Sequence, residues 1–258
     1  MSILAADIGN SHTVLGLVAG GEVTDDWRVA TAAHRTADEW AVLLRGLLGP
    51  EVLGGLDGIA VCATVPAVLQ QWRLMLAAHF GDLPSVVVEP GVRTGIPVLT
   101  DNPREVGTDR IVNALAAATT YGGPAIVVDF GGTATTFDVV NRSGQYVGGA
   151  IAPGIEISLD ALARRGAQLR MVEMLRPRSV IAKNTVEALQ SGMIFGVASQ
   201  VEGIVGRMIE EMGEEPADVH VIATGYLASL VVGECRCFTS TDNWLTIRGL
   251  ELVFLKNS

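Results

Sequence analysis

Two short segments of the sequence carry an aspartate, a glycine and hydroxyl side chains at the spacing of a phosphate-binding turn. The first begins after the apolar run ILAA, where Asp7, Gly9, Ser11 and Thr13 occupy every second position. In such a turn, backbone N–H groups point inward and hydroxyl groups add donors, while an aspartate at a strand end can hold the cation that accompanies a phosphate. The pattern predicts binding of a phosphorylated ligand, although aspartate and glycine are also common in ordinary turns.

The second segment repeats the first in the other half of the chain, which raises the pattern above an ordinary turn. Residues 125–140 can be laid over residues 3–18 without a gap, and both segments continue into an apolar strand and then a second strand. Two matching hairpins at this separation predict a duplicated domain. The overlay pairs Asp7 with Asp129, Gly9 with Gly131, Asn10 with Gly132, Ser11 with Thr133, and Thr13 with Thr135.

A third candidate for chemistry is Asp109, which falls in the first turn of a predicted helix. The positive end of the helix dipole favours an ionised carboxylate there, and Gly107 and Thr108 just before it allow a ligand to approach. Arg110 adjoins Asp109, and Asn113 lies one turn further along the same face. A carboxylate in this position could orient a substrate hydroxyl and accept its proton, or it could be only an acidic residue at a helix start.

The elements that must position these residues alternate between strands and helices. Apolar runs predict strands, and apolar residues that recur every three or four positions predict helices. This alternation favours an α/β fold in which helices cover the sheet. The predicted strands are 3–6, 59–63, 86–88, 125–128 and 219–224; the predicted helices are 36–48, 67–80, 156–165 and a long helix capped by Asn184 or Thr185; and 245–255 is predicted as a terminal helix or strand.

The composition indicates a packed globular protein and excludes some kinds of partner. Apolar residues make up 49% of the 258 residues and charged residues 18%, which is too apolar for a disordered chain. The net charge of −10 argues against nucleic acid and against an anionic membrane surface as main partners, because both attract basic proteins. A phosphorylated ligand must then be bound by local N–H groups, a few cationic side chains and a metal ion.

The three cysteines and the absence of long apolar runs predict a cytoplasmic protein. Cys62, Cys235 and Cys237 lack the spacing of a zinc site or of a C-x-x-C redox pair, so we expect reduced thiols. The N-terminal residues include no basic region, and no run approaches the roughly 18 apolar residues of a membrane span. We therefore expect neither a signal peptide nor membrane insertion.

The order and spacing of five motifs resemble those of the type III pantothenate kinases, within the superfamily of acetate kinase, sugar kinases, Hsp70 and actin. The motifs are DIGNSHT, NPREVGTDRIVNA, VVDFGGTATTFDVV, GGAIAPGI and KNTVEALQSG, and the resemblance extends over nearly the whole chain. The resemblance implies an α/β fold of two duplicated ribonuclease-H-like halves, 1–118 and 119–258, with mixed sheets flanked by helices and ATP in the cleft between them. It also implies phosphoryl transfer from ATP to the terminal hydroxyl of pantothenate, the first step of coenzyme A synthesis.

The resemblance also implies roles for individual residues. Asp109 is expected to be the catalytic base, and Asp129 the ligand of a monovalent cation, K⁺ or ammonium. Asp7 is expected to hold the Mg²⁺ of ATP, directly or through water. Contacts with ATP are expected from Asp7, Ile8, Gly9, Asn10, Ser11, His12, Thr13, Val14, Gly131, Gly132 and Thr133. Contacts with pantothenate, in a pocket that the family assembles at a homodimer interface, are expected from Thr100, Gly107, Thr108, Asp109, Arg110 and Thr185.

Three positions depart from the family pattern and keep other functions open. Gly132 is an extra glycine where the second loop of the family usually reads D-F-G-T, Tyr226 stands where a glycine is common, and Thr100 stands where many members have an aromatic residue. The extra glycine gives the second loop the length of the first. Two alternatives therefore remain: a nucleotide-binding regulatory protein of the same fold without turnover, and a kinase of another small hydroxy acid or sugar.

Overall fold

A computed structural model describes residues 1–165 and 172–258 of the chain. Contacts among these residues divide the chain into two units. The first unit contains Met1–Pro97, Asp101–Ala116 and Trp244–Ser258, and the second contains Val98–Thr100 and Ala117–Asn243. Among the described residues, no helix has both the length and the apolar character that a bilayer span requires.

The first unit is built on a mixed sheet. Its strands are β1 (Ile3–Ile8), β2 (His12–Ala19), β3 (Glu22–Ala30), β4 (Gly58–Ala63) and β5 (Ser85–Val87), and its helices include α1 (Ala37–Gly54), α2 (Pro66–His79) and the start of α3 (Thr108–Thr120). The order across the sheet is β3-β2-β1-β4-β5. β1 pairs antiparallel with β2 across a short turn, and it pairs parallel with β4, which requires a crossover such as α1.

Two tryptophans fill the core where α1 and α2 pack on this sheet. Trp40 on α1 and Trp72 on α2 are fully buried, and their ring centroids lie 5.3 Å apart. α1 begins at a capping box, in which Thr36 and Glu39 each accept a hydrogen bond from the other's backbone N–H group. The cap satisfies N–H groups at the helix start, while the buried rings stabilise the packing of both helices.

The second unit has a sheet of the same arrangement. Its strands are β6 (Ala125–Phe130), β7 (Ala134–Val140), β8 (Tyr146–Pro153), β9 (His220–Thr224) and β10 (Ser240–Thr241), and its helices include α4 (Ile155–Arg165), α5 (Thr185–Met212) and α6 (Ala228–Val231). The order is β10-β9-β6-β7-β8, with β6 antiparallel to β7 and parallel to β9. The repeated arrangement confirms the predicted α/β fold of two similar halves.

The phosphate hairpins of the two units match in strand register. In both, the aspartate occupies the second-to-last position of the first strand, and three residues separate the strands. Each register pair of the second hairpin corresponds to the pair of the first hairpin that the sequence overlay predicts. Gly132 therefore makes the two loops equal in length. The equivalent pairs are Asp7–Val14 and Ile8–Thr13 in the first hairpin, and Asp129–Thr136 and Phe130–Thr135 in the second.

The long helix predicted in the second half is confirmed as α5. Asn184 caps its start, where the side-chain oxygen accepts a hydrogen bond from Glu187 N–H at 2.9 Å. Met193, Val197 and Val201 recur every four residues and are buried in the core of the second unit. The helix ends at Met212, and Gly213 follows in the left-handed conformation with φ 67°.

The C-terminal element is a helix, α7 (Leu245–Asn257), which decides between the two forms predicted for this stretch. It lies close to the first sheet because two strand residues lack side chains. An added Cβ at Gly16 would lie 2.5 Å from Ile247 Cγ2, and one at Gly58 would lie 2.1 Å from Phe254 Cζ. Larger residues at either glycine would push the helix off the sheet.

The position of α7 affects how the chain divides. The predicted halves, 1–118 and 119–258, assign this helix to the second half. In the structure it belongs to the first unit, because it packs on β1, β2 and β4. Residues 98–100, conversely, are grouped with the second unit. Both assignments depend on contacts between distant parts of the chain, which a boundary drawn along the sequence does not contain.

Candidate active site

The turn between β1 and β2 exposes residues expected to bind phosphate. Gly9 N–H donates to the carbonyl oxygen of His12 at 3.0 Å, and Thr31 N–H donates to that of Ser11 at 2.9 Å. These main-chain bonds close the loop, and Asn10 and Ser11 are exposed at its tip. The tip can therefore bind an anion through side-chain and backbone hydrogen-bond donors.

Other residues of this segment contribute to the sheet. Thr13 is fully buried, and its hydroxyl shares a hydrogen bond with the Thr31 hydroxyl at 2.8 Å. Ile8 is buried at the end of β1, whereas His12 and Val14 are partly buried at the start of β2. The atoms most open to a ligand are therefore those at the tip of the loop.

Asp7 lies near the end of β1, beside the parallel strand β4. The Cys62 thiol on β4 donates a hydrogen bond to Asp7 Oδ1 at 3.3 Å, and the two residues are register partners. This contact orients the carboxylate that is expected to hold Mg²⁺. Sequence reasoning missed it, because the cysteine becomes a neighbour of the aspartate only through the pairing of two strands that are distant in the chain.

Asp109 is the second residue of α3, which begins at the same edge of the first sheet. The Thr108 hydroxyl donates to the carbonyl oxygen of Ala63, the last residue of β4, at 3.4 Å. Ala63 is the register partner of Ile8 on β1, so the start of α3 lies beside the ends of both strands. The structure thus brings Asp109 and the hairpin of Asp7 to one edge of the first unit.

The Asp109 carboxylate is poorly solvated. Its Oδ1 atom is buried and has no hydrogen-bond partner among the described residues. Removal from water raises the pKa of Asp109, while the N–H group and the charge of Arg110 oppose the rise. The carboxylate also lies over Gly107, where an added Cβ would come within 2.5 Å of Oδ1. A buried carboxylate oxygen of raised pKa is suited to accept a hydrogen bond and then a proton from a hydroxyl group.

The second loop, Gly131–Thr133, is bonded to the start of α4. Gly154 N–H donates to the carbonyl oxygen of Thr133 at 3.0 Å, and Ile157 N–H donates to that of Gly132 at 3.3 Å. Both bonds use carbonyl groups of the loop as acceptors. The loop thus accepts hydrogen bonds from one N–H group in the first turn of α4 and from the residue just before the helix, which ties the helix to it.

Glu156 and Tyr226 cover the tip of this second loop. An added Cβ at Gly132 would lie 2.1 Å from the Tyr226 hydroxyl oxygen and 2.2 Å from Glu156 Oε2. The sequence marks Tyr226 only as a departure from the family pattern, and it indicates no role for Glu156. Their contact with the loop depends on how α4 and the end of β9 pack around it.

Asp129 lies near the end of β6, beside β9. Its register partner on β9 is Thr224, and Gly225 follows with a left-handed φ of 89°. An added Cβ at Gly225 would come within 2.4 Å of Asp129 Oδ1, so glycine lets the main chain pass close to the carboxylate. Carboxylate and main-chain oxygens are the ligands that hard cations prefer.

The other expected pantothenate contacts lie in both units. Thr100 belongs to the second unit, where the neighbouring Leu99 N–H donates to the Tyr146 carbonyl oxygen at 2.8 Å. The Thr100 hydroxyl is buried and makes no hydrogen bond with the described residues. Thr185 is exposed as the first residue of α5. The segment 107–110 belongs to the first unit.

Each of the two hairpins offers a carboxylate that could bind a cation together with the phosphates of a ligand. In the described part of the chain, no three His, Cys, Asp or Glu side chains come together as a metal site. Asp7 and Asp129 therefore do not belong to a cluster of three such side chains among the described residues. Mg²⁺ is commonly held by one or two carboxylates, with substrate phosphates and water completing its shell.

Several known proteins are similar to this chain over most or all of its length. The family model described as type III pantothenate kinase matches residues 3–207. A type III pantothenate kinase from Nocardioides sp. is 74% identical over 258 residues, which is 100% of both chains. Another from Streptomyces coelicolor is 58% identical over 261 residues, covering 99% of this chain and 98% of its own. Among solved structures, a Baf family protein from Campylobacter jejuni has a TM-score of 0.59 at 18% identity, with 98% of each chain covered, and shows the same fold. The chain therefore belongs to the type III pantothenate kinase family.

Proposed function

We propose that the protein transfers the γ-phosphoryl group of ATP to the terminal hydroxyl of pantothenate, giving 4'-phosphopantothenate for coenzyme A synthesis. Membership of the family supports this pair of substrates. The observation that carries the proposal is the Asp109 carboxylate. Its buried Oδ1 has no partner among the described residues, and it lies at the edge of the first sheet where the hairpin of Asp7 also lies.

Asp109 is the residue that we expect to accept a hydrogen bond from the pantothenate hydroxyl. A primary alcohol is not ionised at neutral pH, so the carboxylate first orients its oxygen toward phosphorus and takes the proton late in the transfer. The raised pKa of Asp109, caused by its removal from water, makes it a stronger proton acceptor than an exposed carboxylate. Positioning supplies most of the acceleration, because phosphoryl transfer needs little covalent help from the protein.

The two loops are proposed to bind the phosphates of ATP. In the first loop, the exposed tip at Asn10 and Ser11 supports this role. In the second, the backbone of Gly131–Thr133 would donate N–H groups. The net charge of −10 gives the protein no general attraction for a polyphosphate, so these local donors and the bound cations must supply it.

Two cations are proposed to accompany ATP. Asp7 would hold Mg²⁺, directly or through water, and its Oδ1 is already oriented by the Cys62 thiol. Asp129 would hold K⁺ or ammonium beside the second loop, where Gly225 allows the main chain close to its carboxylate. When bound, these ions neutralise phosphate charge.

We also infer that the protein is a homodimer. Its second unit exposes several large apolar side chains: Ile181 is 83% exposed, Ile151 66% and Val180 65%. Val180 and Ile181 are adjacent in the chain, and contiguous exposed apolar surface is typical of interaction sites. Light scattering should give twice the mass of the chain, and Ile181→Asp should reduce it to the mass of one chain. A monomeric parent protein would contradict the inference.

The proposed reaction can be tested directly. Purified protein is incubated with ATP, Mg²⁺, K⁺ and pantothenate, and the products are identified by mass spectrometry. One phosphopantothenate for each ADP formed supports the proposal. Binding of ATP without product would favour a regulatory protein, and product from only another hydroxy acid or sugar would favour a different kinase. The cytoplasmic location expected from the sequence stays a prediction.

A further inference from the structure

The tips of the two phosphate loops differ although the loops are equal in length. Asn10, at the tip of the first loop, is exposed, whereas Gly132, at the same place in the second, is buried. The two loops were related by the sequence overlay, so the difference comes from what packs on each of them. The second loop has a cover over the position where the first has solvent.

Two side-chain oxygen atoms form this cover. The hydroxyl oxygen of Tyr226 and Oε2 of Glu156 lie 2.1 Å and 2.2 Å from the point that a Cβ of Gly132 would occupy. Together they fill the volume that a side chain at this position would need, and protein interiors do not tolerate such overlap. Gly132 is therefore matched in size to its cover, because glycine alone lacks a Cβ.

Tyr226 is the rigid part of the cover. It follows Gly225, whose left-handed backbone turns the chain at the end of β9. Glu156 lies in the first turn of α4, whose start is tied to the loop through Gly154 N–H and the Thr133 carbonyl oxygen. A tyrosine side chain has two torsions and cannot withdraw its hydroxyl without moving the ring, whereas a glutamate can swing away.

We propose that, in the kinase proposed above, Tyr226 is a positioning residue for ATP that holds the second phosphate loop in its binding conformation. Phosphate binding depends on the direction of the loop N–H groups, and the neighbouring glycines Gly131 and Gly132 have more backbone freedom than any other residues. The cover removes that freedom from one side of the loop. Loss of Tyr226 therefore weakens the binding of ATP and leaves the binding of pantothenate unchanged.

The test is a double-mutant cycle on Tyr226 and Gly132. Tyr226→Ala removes the cover and should raise KM for ATP by about tenfold, with kcat within about threefold of the parent. Gly132→Ala forces the ring away and should raise KM for ATP at least as much. In the double variant the new methyl group occupies space that the ring has left. The KM for ATP of the double variant should therefore be no higher than that of Gly132→Ala. If the two substitutions acted independently, their fold-increases in KM would multiply instead.

Two further variants distinguish a specific effect of Tyr226 on the second loop from a nonspecific effect of changing a tyrosine in this unit. Tyr226→Phe keeps the ring and removes the oxygen over Gly132, so its KM for ATP should lie between those of the parent and Tyr226→Ala. Tyr121→Phe is the matched control, since its ring lies beside His220 at the start of β9, with centroids 6.2 Å apart. It should leave both constants unchanged. If Gly132→Ala does not fold, recovery of folding in the double variant supports the proposal and failure to recover contradicts it.

Three results would overturn the role of Tyr226: an unchanged KM for ATP in both Tyr226 variants, multiplicative effects in the cycle, or an equal rise in KM for pantothenate. Calorimetric titration of ATP into each variant makes the same comparison without turnover. A parent protein that binds ATP but does not phosphorylate pantothenate would therefore contradict the proposed function, while the titration would still decide the role of Tyr226.

Discussion

The carboxylate of Asp109 lies directly over Gly107, so that a Cβ atom added to the glycine would come within 2.5 Å of Asp109 Oδ1. Gly107→Ala should therefore displace the carboxylate and lower kcat for pantothenate by about 10- to 100-fold, because a shift of about 1 Å in a reacting group costs on that order. The measurement is steady-state turnover. Gly46→Ala is the matched control, since nothing lies within 4 Å of its added Cβ on the exposed side of α1. An unaltered kcat in Gly107→Ala would show that the position of the carboxylate does not matter.

Asp109→Asn tests the proposed base itself. The amide keeps the shape of the side chain and cannot accept the proton, so kcat should fall by at least about 100-fold, which is typical of a lost general base. Binding of ATP, measured by calorimetric titration, should stay within about twofold of the parent, because Asp109 is expected to contact the acceptor substrate. Turnover close to that of the parent would remove Asp109 from the role of base.

The same substitution should stabilise the protein in a pH-dependent way. Burial raises the pKa of Asp109 in the folded state, so its contribution to stability is fully present below the ordinary pKa of an aspartate and is lost as pH rises through the raised pKa. Asp109→Asn should therefore melt above the parent at neutral pH, by about 2–4 °C for each kcal/mol gained. The two melting temperatures should converge in acid. A lower melting temperature for the variant at neutral pH would contradict the burial argument.

The hairpins could be predicted from the sequence because their signal is local. An apolar strand, Asp7, a glycine and hydroxyl residues follow one another within a few positions, and the second copy around Asp129 repeats that order. The contacts that complete each site are not local. Cys62 reaches Asp7 only through the parallel pairing of β4 with β1, and Tyr226 reaches Gly132 only through packing at the end of β9.

The terminal helix illustrates the same limit in the fold. Its apolar positions were ambiguous between a helix and a strand, because the pattern alternates imperfectly. The structure resolves the ambiguity through tertiary contact: Ile247 and Phe254 project from α7 onto glycines of β2 and β4. Glycine within a strand can mark a close approach by another element, but the sequence does not say which element approaches.

Cys237 should be the most reactive of the three thiols. The side-chain interaction between the two neighbouring thiols lowers the pKa of Cys237 and raises that of Cys235. Cys62 is buried. With iodoacetamide near neutral pH, mass spectrometry should therefore find Cys237 alkylated first, at about ten times the rate of Cys62 or more. Cys235→Ala removes this interaction and should move the alkylation of Cys237 to higher pH. An unchanged pH profile would refute the assignment.

The start of α5 depends on the side chain of Asn184. Asn184→Ala removes the acceptor for the Glu187 N–H group and should lower the free energy of unfolding by about 1 kcal/mol, or about 2–4 °C in melting temperature. Asn184→Ser is the matched control, because its hydroxyl oxygen can accept the same bond and adds no charge beside the Glu187 carboxylate, to which Asn184 Nδ2 donates. Thermal melts of the three proteins make the comparison. Equal losses in both variants would mean that something other than the cap is responsible.

Asp129 should be required for the response to a monovalent cation. Asp129→Asn removes the charge of the proposed ligand beside the second loop, so the KM for ATP should rise by about tenfold or more, and added KCl should no longer lower it. Asp82→Asn, at an exposed carboxylate far along the chain from either hairpin, should keep the KCl response of the parent. The measurement is the KM for ATP over a series of KCl concentrations at constant ionic strength, with tetramethylammonium chloride as the replacing salt. If the Asp129→Asn curve follows that of the parent, the cation acts elsewhere or does not act at all, and the assignment of Asp129 fails even if the kinase activity is real.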